Sequence, residues 1–180
     1  MTARQRPWPR QWLMTDERMG GPLWDAVARL PDGGSGIVLR HHVTPARERR
    51  ALAVQLAEIC ADRGLTFGVA GDSELAEAVG ADFDHNPPAA IHSPFSMSVH
   101  DLDQALEARR RGAALVFISP VFPTRSHPGA AALGPDGASA LAEAAGTPAI
   151  ALGGMTAARF AALLPAAFHG WAAIDAWLSG

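Results

Sequence analysis

Eight short runs of β-type residues alternate along this chain with segments of helical pattern, and this alternation limits its possible folds more than any other feature. Several of the runs are almost continuously apolar, as at residues 115–118, which is typical of parallel strands covered on both faces. Strands that alternate with helices favour an α/β fold. The predicted strands are residues 11–15, 36–41, 66–70, 82–85, 95–100, 114–121, 148–152 and 171–175.

The segments between these runs carry helix signals at both ends. Three N-caps are predicted, at Thr44 (with Pro45 as the first helical residue), at Asp101 (with Gln104 completing a capping box) and at Thr156. Glycines at positions 64, 80, 112 and 146 each stand where a helix would end before the next strand. The expected apolar faces are Leu52, Leu56 and Ile59 after the first cap, and Phe160, Leu163 and Leu164 after the third.

Eight strands with intervening helices predict a (β/α)₈ TIM barrel, and the length requires a compact one. Such barrels usually take about 250 residues, whereas this chain has 180. The space between His85 and Pro94 is too short for a helix, and after Trp177 only three residues follow, so we expect no helix after the fourth strand and little or no final helix. We expect a single domain over residues 1–180, with 1–10 flexible. A doubly wound open sheet is the alternative, although no glycine-rich dinucleotide fingerprint follows the first strand.

Composition narrows the chemistry. The chain has no lysine and no tyrosine, so all 15 basic residues are arginines and Schiff-base catalysis is excluded. Acid–base work therefore depends on seven histidines and the acidic residues.

A pI near 6.1 without a basic stripe argues against nucleic-acid binding, and no apolar run approaches the roughly 20 residues of a membrane span. The amino-terminal residues lack the apolar segment of a secretory signal, so we expect a cytoplasmic protein. The single cysteine, Cys60, is expected to be buried within a helix and inert.

Polar residues collect where the predicted strands end, which is where TIM barrels carry their active sites. Together these residues would form a polar ring around the mouth of the barrel, and an arginine in such a ring favours an anionic ligand. The glycine pair Gly153–Gly154 comes between a strand and a helix start and predicts a phosphate site, and the loop 120–129 predicts a binding loop. His41 and His42 should point to opposite faces, and no His, Asp and Glu trio has the spacing of a metal site. The ring comprises Asp16, Arg40, His41, His42, Gly71, Asp72, His85, Ser98, His100, Ser119, Thr124, Ser126, His127, Gly153, Gly154 and Asp175.

Four segments give the chain a resemblance to the thiamine phosphate synthase family, which includes the TenI-type thiazole tautomerases. They are EAVGAD at 77–82, SVHD at 98–101, SPVFPT at 119–124 and AIALGG at 149–154, and the resemblance extends from Trp12 to Trp177. It implies a (β/α)₈ barrel that joins a hydroxymethylpyrimidine diphosphate to a thiazole phosphate, with release of pyrophosphate. In that chemistry Mg²⁺ and basic residues stabilise the departing charge.

The resemblance also implies roles for individual residues. Arg40 corresponds to the arginine of the family's Arg-Glu-Lys strand end, and His42 and His127 stand where the family has lysines. These three are the expected catalytic residues. The expected substrate- and phosphate-binding residues are Ser98, Thr124, Ser126, Gly153 and Gly154.

The chain departs from the family pattern where the metal and the thiazole phosphate would be held. The Asn-Asp pair that holds Mg²⁺ corresponds to Ala70-Gly71, with Asp72 one residue out of register, and the second metal carboxylate falls near Ala90. The cofactor is therefore unknown. Asp175 stands where a serine helps to hold the thiazole phosphate, and Ser119 replaces the histidine of the tautomerases.

Three functions are compatible with these residues. The first is a thiamine phosphate synthase with a rebuilt diphosphate site. The second is a TenI-like isomerase or tautomerase acting on a related heterocycle, with a histidine as base. The third is a non-catalytic protein that binds a phosphorylated ligand. In each case the partner is a small phosphorylated heterocycle, and a homodimer is possible because the shortened barrel leaves an open flank.

Overall fold

The computed structural model describes residues 7–89, 94–124, 131–163 and 167–178, and these form a closed barrel of eight parallel strands. Each strand pairs with its neighbours in chain order, and the first pairs with the eighth, so the sheet has no free edge. This arrangement confirms the predicted TIM barrel over the open sheet. The strands are β1 (Gln11–Met14), β2 (Ser35–Leu39), β3 (Thr66–Ala70), β4 (Phe83–His85), β5 (Phe95–Val99), β6 (Leu115–Ile118), β7 (Ala149–Ala151) and β8 (Gly170–Ala173).

Six α-helices lie between these strands in the described part of the chain. None is present among the described residues between β4 and β5, and after β8 there is only a 3₁₀ turn at Asp175–Trp177, as the shortened loops predicted. None of the described helices is long and apolar enough to cross a membrane. The helices are α1 (Leu23–Ala28), α2 (Ala46–Arg63), α3 (Ser73–Ala78), α4 (Leu102–Arg111), α5 (Gly134–Ala145) and α6 (Ala157–Ala162).

Most of the predicted helix ends are found. Asp101 accepts a hydrogen bond from the Gln104 backbone N–H, and Thr156 caps α6 in the same way. The glycines at 64, 80, 112 and 146 all adopt positive φ after a helix, where a residue with a Cβ would be strained.

Two predictions about α2 are wrong in detail. Pro45, not Thr44, is the N-cap residue, and no side chain caps this helix. Its most buried positions include Ala53, Leu56 and Cys60, whereas Leu52 and Ile59 are only partly buried. The helix is therefore rotated so that smaller side chains meet the barrel, and Cys60 lies buried in its last turn.

Aromatic rings fill the barrel interior. Trp12 on β1 meets Phe83 on β4 edge to face at 5.7 Å and Phe117 on β6 at 5.5 Å, although neither strand is a neighbour of β1. These rings can only meet through the interior. A Cβ added to Gly36 or Gly68 would lie 2.2 Å from the ring of Trp12 or Phe83, respectively, so both glycines make room for them.

This register also fixes which side chains reach the mouth. Side chains alternate along a strand, and Val38 pairs with the interior position Gly68. The side chain two residues later, that of Arg40, is therefore directed to the interior side at the carboxyl end of β2. The intervening His41 is directed outward.

Candidate functional site

A pocket opens at the carboxyl ends of β2, β6, β7 and β8, where TIM barrels place their active sites. It encloses about 490 Å³ of space free of protein atoms, its open mouth included, which suits a small ligand. The structure thus brings together four residues that the sequence predicted as site residues, Arg40, Thr124, Gly153 and Gly154. Its polar and glycine lining consists of Arg40, Ser119, Thr124, Gly153, Gly154 and Asp175.

Arg40 supplies the positive charge of this pocket. Its guanidinium is half-buried and forms no hydrogen bond with another of the described residues. Burial lowers the pKa of Arg40, while the charges of Asp16 and Glu17 oppose that shift. A half-buried guanidinium with its donors unused is well suited to an anion, because its planar fork matches phosphate or carboxylate oxygens.

The glycine pair lies in a turn that only glycine fits. Gly153 and Gly154 have φ of 92° and 62°, and a Cβ on either would lie 2.7 Å from backbone atoms of the loop after β6. Their carbonyls are engaged by Phe122 N–H and the Arg159 guanidinium. Neither backbone N–H donates to another described residue. The following helix α6 has six residues, so it is these amides rather than a helix dipole that favour an anion.

A carboxylate, Asp175, closes the same pocket and lies near Arg18. The pKa of Arg18 is raised, chiefly by its hydrogen bond to Asp16 and further by the charges of Asp16 and Asp175. Burial by itself would raise the pKa of Asp16. The pKa is nevertheless lowered, because Asp16 accepts hydrogen bonds from Arg18 and lies near the charges of Arg18 and Arg40. The mouth of the pocket therefore holds both positive and negative side chains. A phosphate bound beside the glycine pair would lie near the carboxylate of Asp175, whose charge Arg18 partly offsets.

The two histidines after β2 point in different directions, as predicted. His41 is buried against Thr15, whereas the exposed His42 lies over Gly71, where an added Cβ would be 3.9 Å from its ring. Burial lowers the pKa of His42, and the charges of Arg40 and Arg49 lower it further. His42 is therefore neutral at pH 7 and gains positive charge only in more acidic solution.

Ser98 is not part of the pocket lining but belongs to a hydrogen-bonded group inside the barrel. His85 Nδ1 lies 2.8 Å from Ser96 Oγ and its Nε2 lies 3.2 Å from Ser98 Oγ, while Asn86 contacts both His85 and Ser98. Burial lowers the pKa of His85 to about 3, helped by the charges of Arg40 and His42. This imidazole is consequently neutral and fixed at both nitrogens.

The described residues do not suit a magnesium ion held by the protein. Asp72, the acidic residue nearest the expected metal position, accepts hydrogen bonds from Arg49 Nη1 at 2.9 Å and from the Leu75 backbone N–H. Arg49 also donates to the carbonyl of Ala70. No three His, Cys, Asp or Glu side chains among the described residues are grouped so that they could bind a metal.

Some predicted positions lie outside the described residues. These include the site residues Ser126 and His127 in the loop after β6, as well as Ala90 and Leu164. Cys60 is buried as predicted, and burial raises its thiol pKa to about 12, so it is inert at neutral pH.

Sequence reasoning missed three residues that support the site: Thr15, Arg49 and Asn86. Arg49 had a usable signal, because it stands four residues before Ala53 on the buried face of α2. Thr15 and Asn86 follow strand ends directly, but their hydrogen-bond partners lie up to 26 residues away. Nothing in the local sequence identifies those partners.

The chain matches known proteins over nearly its whole length. A family model described as thiamine monophosphate synthase matches residues 12–177. A thiamine-phosphate synthase of Acidithiobacillus ferrooxidans is 35% identical, in an alignment covering 91% of this chain and 84% of the relative. One of Methanoculleus marisnigri is 34% identical, with 92% and 85% covered. Among solved structures, a thiamine phosphate pyrophosphorylase from Pyrococcus furiosus superposes with a TM-score of 0.80 at 24% identity, covering 95% of this chain and 88% of that one, which shows a shared fold.

Proposed function

Because the chain belongs to the thiamine monophosphate synthase family, we propose that it couples a hydroxymethylpyrimidine diphosphate to a thiazole phosphate. The bond between the pyrimidine methylene carbon and the diphosphate oxygen breaks, and its electron pair leaves with pyrophosphate. The thiazole ring nitrogen then forms the new bond to that carbon. The products are thiamine phosphate and pyrophosphate.

One observation carries this proposal: a guanidinium and two backbone amides that donate to no other described residue belong to the lining of the same pocket. The amides of Gly153 and Gly154, with the nearby hydroxyl of Thr124, are proposed to hold the thiazole phosphate. Arg40 lines the same pocket and is proposed to supply charge to the phosphate and to the departing pyrophosphate. Ser126 is proposed to contribute a further hydroxyl to the thiazole phosphate.

The diphosphate site is proposed to use histidines where the family has lysines. His42 and His127 are the proposed additional cations, and His42 becomes charged only as the solution becomes acidic. Turnover should therefore rise toward lower pH. Ser98, held by His85 and Asn86 inside the barrel, is proposed to contact the substrate from below the mouth.

Mass spectrometry of the products tests the proposal. The purified protein is incubated with both substrates, with and without Mg²⁺, at pH 6 and pH 7.5, beside an Arg40→Met variant of similar side-chain length. We expect thiamine phosphate that depends on the wild-type protein, and at least a hundredfold less with the variant. If the wild type forms no product under any condition but still binds the thiazole phosphate, the protein is a binding member of the family and the catalytic proposal is wrong.

A second copy of this chain is proposed to cover the flank beside β4, where the described residues contain no helix. Sedimentation velocity measures this directly. A species of twice the chain mass at micromolar concentration supports a homodimer, and a monomer at all concentrations contradicts it.

A further inference from the structure

Where the backbone pairing of β1 and β2 ends, a side chain takes the next hydrogen bond. Thr15 N–H donates to the carbonyl of Val38 at 3.0 Å, which continues the parallel ladder by one step. In a regular ladder the next bond would run from Arg40 N–H to the Thr15 carbonyl. Here Arg40 N–H donates instead to Thr15 Oγ1 at 3.0 Å. The hydroxyl of Thr15 therefore sets the backbone position of Arg40 where β2 ends.

The same hydroxyl engages His41. Thr15 Oγ1 lies 2.9 Å from His41 Nδ1, and both residues are buried. A hydroxyl has one proton to donate. Oγ1 already accepts from Arg40 N–H, and we assign its proton to the contact with His41 Nδ1, which makes His41 a neutral imidazole protonated on Nε2. The hydroxyl is then used as both acceptor and donor, and its orientation is fixed.

The surroundings of His41 favour this neutral form. Burial lowers the pKa of His41, and the charges of Arg49 and His42 lower it further, whereas Glu17 and Asp16 oppose the shift. Glu17 itself accepts a hydrogen bond from the Val43 backbone N–H at 2.7 Å. The segment after β2 is thus tied, at residues 40, 41 and 43, to Thr15 and Glu17, which follow β1.

These contacts matter because the Arg40 guanidinium forms no hydrogen bond of its own with the described residues. Its placement at the pocket depends on its backbone. We propose that Thr15 and His41 act as a pair of positioning residues that hold the Arg40 backbone so that its guanidinium faces the anion pocket. This inference rests on the proposed function only in the identity of the anion, which is taken to be the thiazole phosphate.

Calorimetric titration with the thiazole phosphate separates positioning from a general loss of structure. Thr15→Val keeps the side-chain shape and removes the hydroxyl, whereas Thr15→Ser restores it. We expect Thr15→Val to weaken binding about fivefold to tenfold and Thr15→Ser to stay within about twofold of wild type. In an Arg40→Met background, Thr15→Val should have no further effect. An equal loss in both backgrounds, or a Thr15→Ser variant as weak as Thr15→Val, would overturn the inference.

Two measurements without ligand keep this test independent of the proposed function. The ¹⁵N resonances of His41 should report an unprotonated Nδ1 and a protonated Nε2 at pH 7, and both should shift in Thr15→Val. The amide of Arg40 should exchange with solvent about tenfold faster in Thr15→Val than in wild type or Thr15→Ser. A wild-type protein that does not bind the thiazole phosphate contradicts the proposed function alone, whereas unchanged Arg40 exchange in Thr15→Val overturns the positioning pair.

Discussion

Replacement of Gly68 by alanine tests the packing of the barrel interior. The new Cβ would lie 2.2 Å from Phe83 Cζ and 2.6 Å from both Cε atoms, where ordinary contacts begin near 3.4 Å. The ring would therefore have to move by about an ångström. It is almost fully buried, and Trp8 and Trp12 meet it edge to face at 5.4 and 5.7 Å. The neighbouring rings restrict that movement.

The magnitude follows from two opposing effects. Overpacking a core costs about 1–3 kcal/mol, whereas a change from glycine to alanine lowers the entropy of the unfolded chain and returns about 0.4–1 kcal/mol. We expect a net loss of about 1–2 kcal/mol in the free energy of unfolding, or a fall of roughly 2–8 °C in Tm for a chain of this length. Urea unfolding followed by tryptophan fluorescence measures it.

Two further variants make this test specific. Gly21→Ala is the matched control, because an added Cβ there meets nothing within 4 Å and the φ of Gly21 is not in the left-handed region. It should leave stability unchanged or slightly raised. Phe83→Leu removes the obstructing ring, so the double variant Gly68→Ala/Phe83→Leu should be more stable than the sum of the single losses by about 1 kcal/mol. Strict additivity, or a Gly68→Ala protein as stable as Gly21→Ala, would refute the packing argument.

Three further predictions concern charge. Because the pKa of His42 is lowered, binding of the pyrimidine diphosphate should strengthen as the pH falls below about 6.5. Calorimetry of His42→Gln, in which the ligand still titrates, should show a smaller increase. Asp175→Asn removes a negative charge from the pocket wall and should tighten binding of the thiazole phosphate about fivefold; weaker binding would contradict the assigned repulsion. The pKa of His85 is low, about 3, so between pH 7 and pH 5 this histidine takes up a proton in the unfolded chain but not in the folded protein. The free energy of unfolding, measured by urea titration, should therefore fall by about 2 kcal/mol between pH 7 and pH 5 relative to that of a His85→Asn variant. An equal pH dependence in both proteins would contradict this assignment.

The strands could be predicted because each is a local pattern of apolar and β-branched residues, and all eight are present. Their carboxyl ends were predicted less well. The run at 114–121 was predicted as one strand, yet β6 ends at Ile118, because from Ser119 onward the chain turns into the loop that packs against Gly153 and Gly154. Similarly, β2 ends at Leu39, because the Thr15 hydroxyl takes the next backbone hydrogen bond.

Candidate site residues could be predicted where the type of a single residue and its place after a strand indicate its chemistry. Arg40 and the glycine pair were identified from their places after strands, and the structure brings them to one pocket. The contacts that support these residues could not be predicted, because they depend on which side chains meet across the barrel mouth. Arg49, for example, donates to Asp72 across 23 residues of sequence and so occupies the carboxylate nearest to the expected metal position. Such pairings are set by strand order and register, which no local pattern contains.

The most direct test of the central claim is a crystal structure of the protein with the thiazole phosphate bound. Phosphate oxygens should lie within hydrogen-bond distance of the Arg40 guanidinium and of the Gly153 and Gly154 amides, with Asp175 turned toward Arg18. A phosphate bound at another part of the barrel mouth, with Arg40 and the glycine pair making no contact to it, would contradict the proposed site.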